Sequence, residues 1–219
     1  MKIGDSLFIS CDGVSHLCEI ESINDGYLTA AITEENCQNT DLPINIILFQ
    51  GLPKSDKMEL IIQKAVELGV NSIVPVEMNR CVVRLEEKRK RLKLERWQSI
   101  SQSAAKQSKR SSIPEVCEIL SFKEAMKKAS ELDLFLVPYE SKNGMADTEN
   151  ALKQIKSKMT VGILIGPEGG FEPFEIENAK EAGAKIISLG KRILRTETAA
   201  ICAASMCMLY AEMNLEGNS

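Results

Sequence analysis

The stretches Ile165-Gly166-Pro167-Glu168-Gly169-Gly170-Phe171 and Leu189-Gly190-Lys191-Arg192-Ile193-Leu194-Arg195-Thr196-Glu197-Thr198-Ala199 decide the fold of this chain. Each leaves a short apolar run and enters a segment with helical periodicity, which predicts two strand-to-helix loops, called here the first loop (165–171) and the second loop (189–199). Ligands of open α/β sheets bind just outside the carboxyl ends of the strands, so the two loops predict a ligand site. Neither contains G-x-G-x-x-G or G-x-x-x-x-G-K-[ST], which argues against a dinucleotide site or a P-loop.

The chain from Ile44 onward alternates short apolar runs with segments of helical spacing. This alternation predicts a mainly parallel sheet with helices on both faces. Ser55 is expected to cap the first helix and Gly69 to end it. The predicted strands are 44–50, 73–76, 132–137, 161–165 and 186–189. A long basic helix is predicted at 86–107 and a crossover helix at 173–181.

Residues 1–40 have a different pattern. Short alternating runs are broken by Asp12-Gly13 and by Asn24-Asp25-Gly26, which is the chemistry of hairpin turns. The pattern predicts a small antiparallel β unit, joined to the rest by a polar linker at 35–43.

Composition narrows the class of protein. With 219 residues, 44% hydrophobic and 26% charged, the chain has the make-up of a soluble globular protein. Its longest uncharged apolar stretch, Ala199 to Ala211, is shorter than the roughly 20 residues that span a bilayer, so no membrane span is expected. The N-terminus lacks the apolar core of a signal peptide, which favours a cytoplasmic location.

Cysteine and histidine patterns argue against a metal site. The seven cysteines form no C-x-x-C pair and His16 is the sole histidine, so we expect no structural metal and reduced thiols. A single histidine far from any nucleophile-like loop also argues against Ser-His-Asp or Cys-His catalysis.

Charge is distributed unevenly along the chain. The net charge is −4, yet residues 80–110 hold eleven basic side chains and three acidic ones. A basic segment on an acidic protein is typical of a partner that carries phosphate, although a solvated charged helix has the same composition.

Four motifs resemble one family. Q-G-L-P-K (50–54), K-A-V-E-L-G-V (64–70), I-G-P-E-G-G-F (165–171) and L-G-K-R-I-L-R-T-E-T-A (189–199) resemble the bacterial RsmE family of 16S ribosomal RNA uridine methyltransferases, in the SPOUT superfamily. The resemblance covers 44–213 and implies a trefoil-knotted SPOUT domain at 44–219, an exception to the rule against knots. It also implies a homodimer that acts on the small ribosomal subunit, with Ala199 to Ala211 as a natural interface element or, equally, a core helix.

The resemblance implies a methyl-donor site for S-adenosylmethionine and no metal. The donor would lie in the knot between three loops, which are residues 138–140, the first loop and the second loop, with adenine against the backbone of Leu189, Gly190, Ile193 and Leu194. The cofactor-binding candidates are Pro138, Tyr139, Glu140, Ile165, Gly166, Pro167, Glu168, Gly169, Gly170, Leu189, Gly190, Ile193, Leu194, Arg195 and Thr198.

The implied reaction is methyl transfer to N3 of a uridine. N3 must lose a proton, so a positive group near O2 or O4 would stabilise the developing anion, and Arg195 is the leading candidate. A salt bridge from Arg195 to Glu197 or Glu168 is the alternative. Either glutamate could accept the proton, but Glu168 also suits the start of a helix, and Thr196 and Glu197, the remaining catalytic candidates, could simply cap the last helix.

The basic segment would contact RNA. Enzymes that modify a base edge usually need the base unstacked, so its residues would hold phosphates or the extruded base. The RNA-binding candidates are Gln50, Lys54, Arg80, Arg84, Gln107, Lys109 and Arg110. Lys106 departs from the family, which usually carries an acid there.

The N-terminus also departs from the family. RsmE proteins begin with a complete PUA-like β-barrel that binds RNA, whereas this chain starts near its middle, so residues 1–40 are expected to form a truncated PUA-like domain. Two other functions stay open: a SPOUT ribose 2′-O-methyltransferase for another RNA, and a non-catalytic RNA-binding protein.

Overall fold

The computed structural model describes residues 1–11, 13–38, 40–139 and 144–215, and it begins with a three-stranded antiparallel sheet. Its strands, in the order β1-β2-β3, are β1 (Ser6–Cys11), β2 (Val14–Asn24) and β3 (Tyr27–Gln38). Gly26 has φ of +88° in the turn between β2 and β3, as the turn chemistry predicted. Because β3 continues to Gln38, the segment between the sheets is shorter than the linker expected at 35–43.

Strands and helices alternate from residue 45 onward, which confirms the predicted α/β class. Pro173 starts the helix at the predicted residue because its fixed φ suits a first helical position. The elements are β4 (Asn45–Gly51), α1 (Lys57–Glu67), β5 (Ser72–Glu77), α2 (Glu87–Gln107), β6 (Glu115–Val116), β7 (Leu120–Ser121), α3 (Phe122–Ala129), β8 (Leu134–Pro138), α4 (Met145–Leu152), β9 (Thr160–Ile165), α5 (Pro173–Glu181), β10 (Lys185–Ile187) and α6 (Thr196–Leu215).

The second sheet is parallel in every pairing among the described strands. Its order is β10-β8-β9-β4-β5-β6, with β7 also paired to β5. Strands β8, β9 and β4 are therefore neighbours, and all run in one direction. The loops that follow them meet at one edge of the sheet, where parallel sheets bind ligands.

Both faces of this sheet are covered. Consecutive residues of a strand point to opposite faces, and the inner residues of β5, β8 and β9 are buried without alternation. The helices fall into two groups by contact, α1 with α2 and α6, and α3 with α5. Phe49 and Phe135 pack edge to face in the middle of the core, with ring centroids 6.0 Å apart.

The start of α1 differs from the expectation. Ser55 does not cap the helix: it has φ of +55°, and the N-cap position belongs to Asp56, which makes no side-chain capping bond. The turn is instead fixed by the neighbouring Lys54, whose backbone N–H donates to Glu168 of the first loop. The helix ends as predicted, with Gly69 at φ of +85° just after it.

Helix α6 is longer than the apolar stretch considered in the sequence. At 20 residues and a mean hydropathy of 1.2 it reaches, by length and composition, the range of a membrane-spanning helix, the only such helix in the described part of the chain. Apolar core helices have the same properties, and α6 packs against α1, β4 and β9. Its length therefore does not by itself indicate a membrane.

Candidate functional site

A cavity of 470 Å³ lies where β8, β9 and α6 meet. Its volume is within the range of small-molecule pockets, and three of the loops singled out in the sequence form its walls. The lining residues are Lys57, Pro138, Ile165, Gly166, Pro167, Glu168, Gly170, Phe171, Ile193, Leu194, Arg195, Thr196 and Ala199.

Most of the donor-binding candidates thus converge on one cavity. The others belong to the same loops without lining it: Tyr139, Gly169, Leu189, Gly190 and Thr198. Glu140 lies outside the described residues. Tyr139 supports the wall from behind, because its ring packs edge to face on Phe171 with centroids 6.0 Å apart and its N–H donates to Ile187.

A buried threonine joins the two loops beneath the cavity. The hydroxyl of Thr196 donates to the carbonyl of Gly166 at 2.7 Å and accepts from Nε2 of Gln50 at 3.0 Å. Gln50 also donates to the carbonyl of Gly51. Thr196 does not cap α6 with its side chain; the carbonyl of Arg195 accepts the first intrahelical bond instead.

Glu168 is held by the start of α1. Both of its carboxylate oxygens accept from the backbone N–H of Lys54, at 3.0 and 3.3 Å, and Oε1 lies 3.1 Å from Nζ of Lys57. Burial alone would raise the pKa of this carboxyl, but backbone N–H groups of Glu168 and Lys54 and the ammonium of Lys57 together hold the pKa below its usual value. Glu168 is therefore ionised at neutral pH and is a weak base.

Arg80 fixes the other end of the first loop. Its guanidinium makes two hydrogen bonds to the carboxylate of Glu172, at 3.0 and 3.2 Å, and a third to the carbonyl of Gly169 at 3.0 Å. The hydrogen bond from Arg80 lowers the pKa of Glu172. Arg80, which was predicted to contact RNA, therefore also holds the first loop in place.

The glycines of the first loop serve contacts within the protein. A Cβ at Gly166 would lie 3.1 Å from the Phe171 ring, and one at Gly169 would lie 2.9 Å from Cβ of Arg80. Space for the protein's own side chains therefore explains both residues. Gly190 differs, because its φ of +103° requires glycine while the space beside it is open.

A second threonine holds the second loop. Thr148 of α4 is buried, and its hydroxyl donates to the carbonyl of Ser188 at 2.7 Å and accepts from the Ser188 N–H at 2.9 Å. The Ser188 hydroxyl in turn accepts from the N–H of Gly190. This chain of bonds fixes the point where the second loop leaves β10.

The tip of the second loop carries an available cation. Arg195 lines the cavity and is exposed, and within the described part of the chain its guanidinium makes no hydrogen bond or ion pair. The salt bridges considered from the sequence are not formed, because Glu168 and Glu197 both face Lys57 instead. Ile193, which also lines the cavity, is fully exposed.

Glu197 is largely buried and faces Lys57 through one carboxylate oxygen. Its side chain is 14% exposed, and Oε2 lies 3.4 Å from Nζ of Lys57 without hydrogen-bond geometry. Among the carboxylates of this site it is the less constrained one.

The RNA-binding candidates fall into two groups. Lys54, Arg84, Gln107 and Lys109 are exposed, as that role requires. Gln50 is fully buried and supports Thr196, so the prediction that it contacts RNA is wrong for this conformation.

Arg110 is also a structural residue. It is 7% exposed, and its guanidinium donates to the carbonyls of Val66 and Val70 and pairs with Asp41 at 3.1 Å. It therefore ties the segment between the sheets to the end of α1, and these contacts within the protein account for its position.

Ion pairs neutralise part of the basic segment. Five of its eleven cations pair with acids of the protein: Arg80, Lys90, Arg91, Arg96 and Arg110. The other six make no ion pair within the described residues: Arg84, Lys88, Arg89, Lys93, Lys106 and Lys109. The surface left for phosphate is smaller than the sequence count indicated.

Sequence reasoning missed Lys57 and Thr148. The position of Lys57 in the sequence could have indicated its role, because a cation in the first turn of a helix is repelled by the helix dipole and is expected to have an acidic partner. Thr148 had no such signal, since a threonine in a helix gives no indication of a partner on a distant strand.

Comparisons with known proteins show the family of this chain. A family model described as an RNA methyltransferase domain matches residues 40–208. The chain is 36% identical over 218 residues to ribosomal RNA small subunit methyltransferase E of Bacillus subtilis, covering 97% of this chain and 85% of that protein. It is also 36% identical to the protein of that name from Mesomycoplasma hyopneumoniae, covering 82% and 76%.

A solved structure is similar over most of its length. It is the ribosomal RNA small subunit methyltransferase E of Neisseria gonorrhoeae bound to S-adenosyl methionine, with 33% identity and a TM-score of 0.79. The match covers 94% of this chain and 83% of that one. Both loops and the cavity between them lie within the residues matched by the family model.

Proposed function

This chain belongs to the family of RNA methyltransferases named ribosomal RNA small subunit methyltransferase E, and we propose that it methylates N3 of a uridine in 16S ribosomal RNA with S-adenosylmethionine as donor. The observation that carries the proposal is the cavity between the first and second loops, with the guanidinium of Arg195, which has no partner among the described residues, at its edge. A solved relative with 33% identity was crystallised with this donor, which supports the choice of ligand.

The residues that line the cavity fit the donor. Ile165, Phe171 and Leu194 line the cavity and offer apolar contact to an adenine. Glu168 and Glu197 put negative charge near a ligand whose sulfonium and amino groups are positive. When bound, the donor supplies an activated methyl group, so the chain has only to align the acceptor and help it lose a proton.

Arg195 is the electrostatic catalyst in this proposal. Loss of the N3 proton leaves negative charge on uracil O2 and O4, and a guanidinium with no competing partner is free to stabilise it. The backbone of Arg195 is fixed by the first hydrogen bond of α6, so the charge is presented from a rigid element.

Glu197 is the proposed proton acceptor. Glu168 is already engaged by Lys54 and Lys57, and the hydroxyl of Thr196 is used by Gly166. Oε2 of Glu197 is buried beside Lys57, so the oxygen left to take a proton is Oε1, which makes no hydrogen bond or ion pair within the described residues. Proton transfer by a carboxylate at hydrogen-bond reach requires such a free oxygen.

The RNA would reach the cavity across the exposed cations of the basic segment. Arg84, Lys109 and Lys54, together with Gln107, are exposed and could hold phosphates on either side of an extruded uridine. A second cavity, of 730 Å³, lies between the N-terminal sheet and the end of α2, with Lys106 and Lys109 in its wall. This cleft supports a role for the small antiparallel sheet in RNA binding.

The wider architecture follows from the same proposal. Residues 44–219 would form a knotted SPOUT domain that acts as a homodimer with α6 at the interface, and residues 1–40 a PUA-like RNA-binding unit. The exposed apolar side chains Leu209 and Met213 of α6 are consistent with such an interface. A small-subunit RNA substrate would place the protein in the cytoplasm.

The test of the catalytic assignment is Arg195→Ala with Arg192→Ala as the matched control. Both changes remove one arginine from the second loop, but Arg192 is outside the cavity lining. We expect Arg195→Ala to lower labelled methyl transfer to 30S subunits at least a hundredfold, as for loss of an oxyanion-stabilising donor, and to leave donor affinity within about threefold. Unchanged turnover would remove Arg195 from this role.

A further inference from the structure

Lys57 connects the two loops across the rim of the cavity. Its ammonium lies 3.1 Å from Oε1 of Glu168 in the first loop and 3.4 Å from Oε2 of Glu197 at the start of α6. We propose that Lys57 is a positioning residue that joins the two walls of the donor site and thereby sets donor affinity and transfer rate. This inference rests on the proposed function, since it concerns the same cavity.

The location of Lys57 is unfavourable for the helix that carries it. It occupies the first position of α1, where the positive end of the helix dipole repels a cation. Its two partners come from distant parts of the chain and offset that repulsion. The hydrogen bond to Glu168, ahead of the opposing effect of burial, raises the pKa of Lys57, so the ammonium keeps its charge throughout the neutral range.

Lys57 acts in parallel with the buried contact beneath the cavity. Thr196 ties the second loop to Gly166 from below, while Lys57 ties Glu197 to Glu168 at the rim. The backbone of Lys54, in the same turn as Lys57, adds two further bonds to Glu168. Two contacts therefore hold the first loop against α6, one at Thr196 and one at Lys57. The contact at the rim depends on the Lys57 side chain alone.

Two simpler accounts of Lys57 predict different results. An ordinary surface ion pair contributes little, so its removal would leave donor binding unchanged. A purely electrostatic role has the opposite sign: removal of the ammonium leaves two carboxylates, which attract a cationic donor more strongly. Of the three roles, only positioning predicts that the donor binds more weakly when the Lys57 ammonium is removed.

The experiment compares Lys57→Gln with Lys64→Gln. Lys64 is on the same helix and pairs with Glu67 at 2.8 Å with a similar side-chain exposure, 37% against 30% for Lys57, but it does not line the cavity. Donor affinity is measured by titration calorimetry with S-adenosylmethionine, and the rate by labelled methyl transfer to 30S subunits.

We expect Lys57→Gln to weaken donor binding about tenfold, equivalent to about 1.4 kcal/mol, and to slow transfer at saturating donor. Lys64→Gln should leave both quantities within about twofold, and Lys57→Arg, which keeps the charge, should restore affinity to within about threefold of the unaltered protein. Unchanged or tighter donor binding in Lys57→Gln would overturn the proposal.

Two further measurements keep the inference separate from the proposed function and from folding. If the unaltered protein transfers no methyl group to RNA while Lys57→Gln still weakens donor binding, the function is refuted and the positioning role stands. If Lys57→Gln does not fold, Glu197→Gln removes one arm of the junction while Lys57 keeps its bond to Glu168. Donor binding by Glu197→Gln must then also be weaker, and unchanged affinity would refute positioning.

Discussion

The buried junction of Thr196 offers a sharp test of how the two loops are held together. Thr196→Val keeps the shape of the side chain but removes the hydroxyl that donates to Gly166 and accepts from Gln50. Both partners are buried, and Oε1 of Gln50 already lacks a hydrogen bond. With two hydrogen bonds lost at roughly 0.5–1.5 kcal/mol each, we expect a loss of about 1–3 kcal/mol in the free energy of unfolding.

The assay is urea unfolding followed by circular dichroism, together with calorimetric titration of the donor. Thr198→Val is the matched control for stability, because Thr198 is exposed on the same helix, and its change should stay within about 0.5 kcal/mol. We also expect Thr196→Val to weaken donor binding, since Gly166 lines the cavity. Equal stability of the two valine variants would refute the argument that Thr196 joins the loops.

Three further predictions concern other contacts. Thr148→Val removes both bonds to Ser188 and should weaken donor binding about tenfold, measured by calorimetry. Arg110→Ala should lower the free energy of unfolding, measured in urea, by about 3 kcal/mol. Arg84→Ala, at an exposed residue, should change that free energy by less than about 0.5 kcal/mol but weaken binding to 16S RNA, measured by filter binding. The pKa of Glu168 is lowered in the folded protein. The stability that this carboxylate adds is therefore present above the usual pKa of 4.5 and is lost as the pH falls through the folded pKa. In urea unfolding from pH 7 to 3, Glu168→Gln should make this loss of stability smaller.

The fold was largely predictable because its signals are local. The alternation of apolar runs and helical periodicity gave the class, and Gly69 and Pro173 marked a helix end and a helix start close to where they occur. The prediction that Ser55 caps α1 failed because a cap is a local interaction, whereas this turn is shaped by the contact of the neighbouring Lys54 with the distant Glu168.

The site was predictable in position and only partly in detail. The sequence identified the loops, since glycines and a strand-to-helix change are visible in it. It did not distinguish the exposed Arg84 from the buried Arg110, because the partners of Arg110 are backbone carbonyls and an acid from another part of the chain. Gln50 was misassigned for the same reason, as its partner Thr196 is distant in sequence.

The arrangement of charge at the cavity is the main addition of the structure. The sequence left both glutamates as equal candidates for proton acceptor. The contacts of Glu168 with Lys54 and Lys57 favour Glu197 for that role and leave Arg195 without a competing carboxylate in the described part of the chain.

The central claim is that this chain forms 3-methyluridine in 16S ribosomal RNA, and nucleoside analysis tests it most directly. The RNA is taken from cells that lack the gene and from cells in which the gene is restored, either unaltered or with Arg195→Ala, and digested nucleosides are quantified by mass spectrometry. We expect 3-methyluridine to disappear on deletion, to return with the unaltered gene and to stay absent with Arg195→Ala. A ribose 2′-O-methyl nucleoside in its place, or no change in any methylated nucleoside, would contradict it.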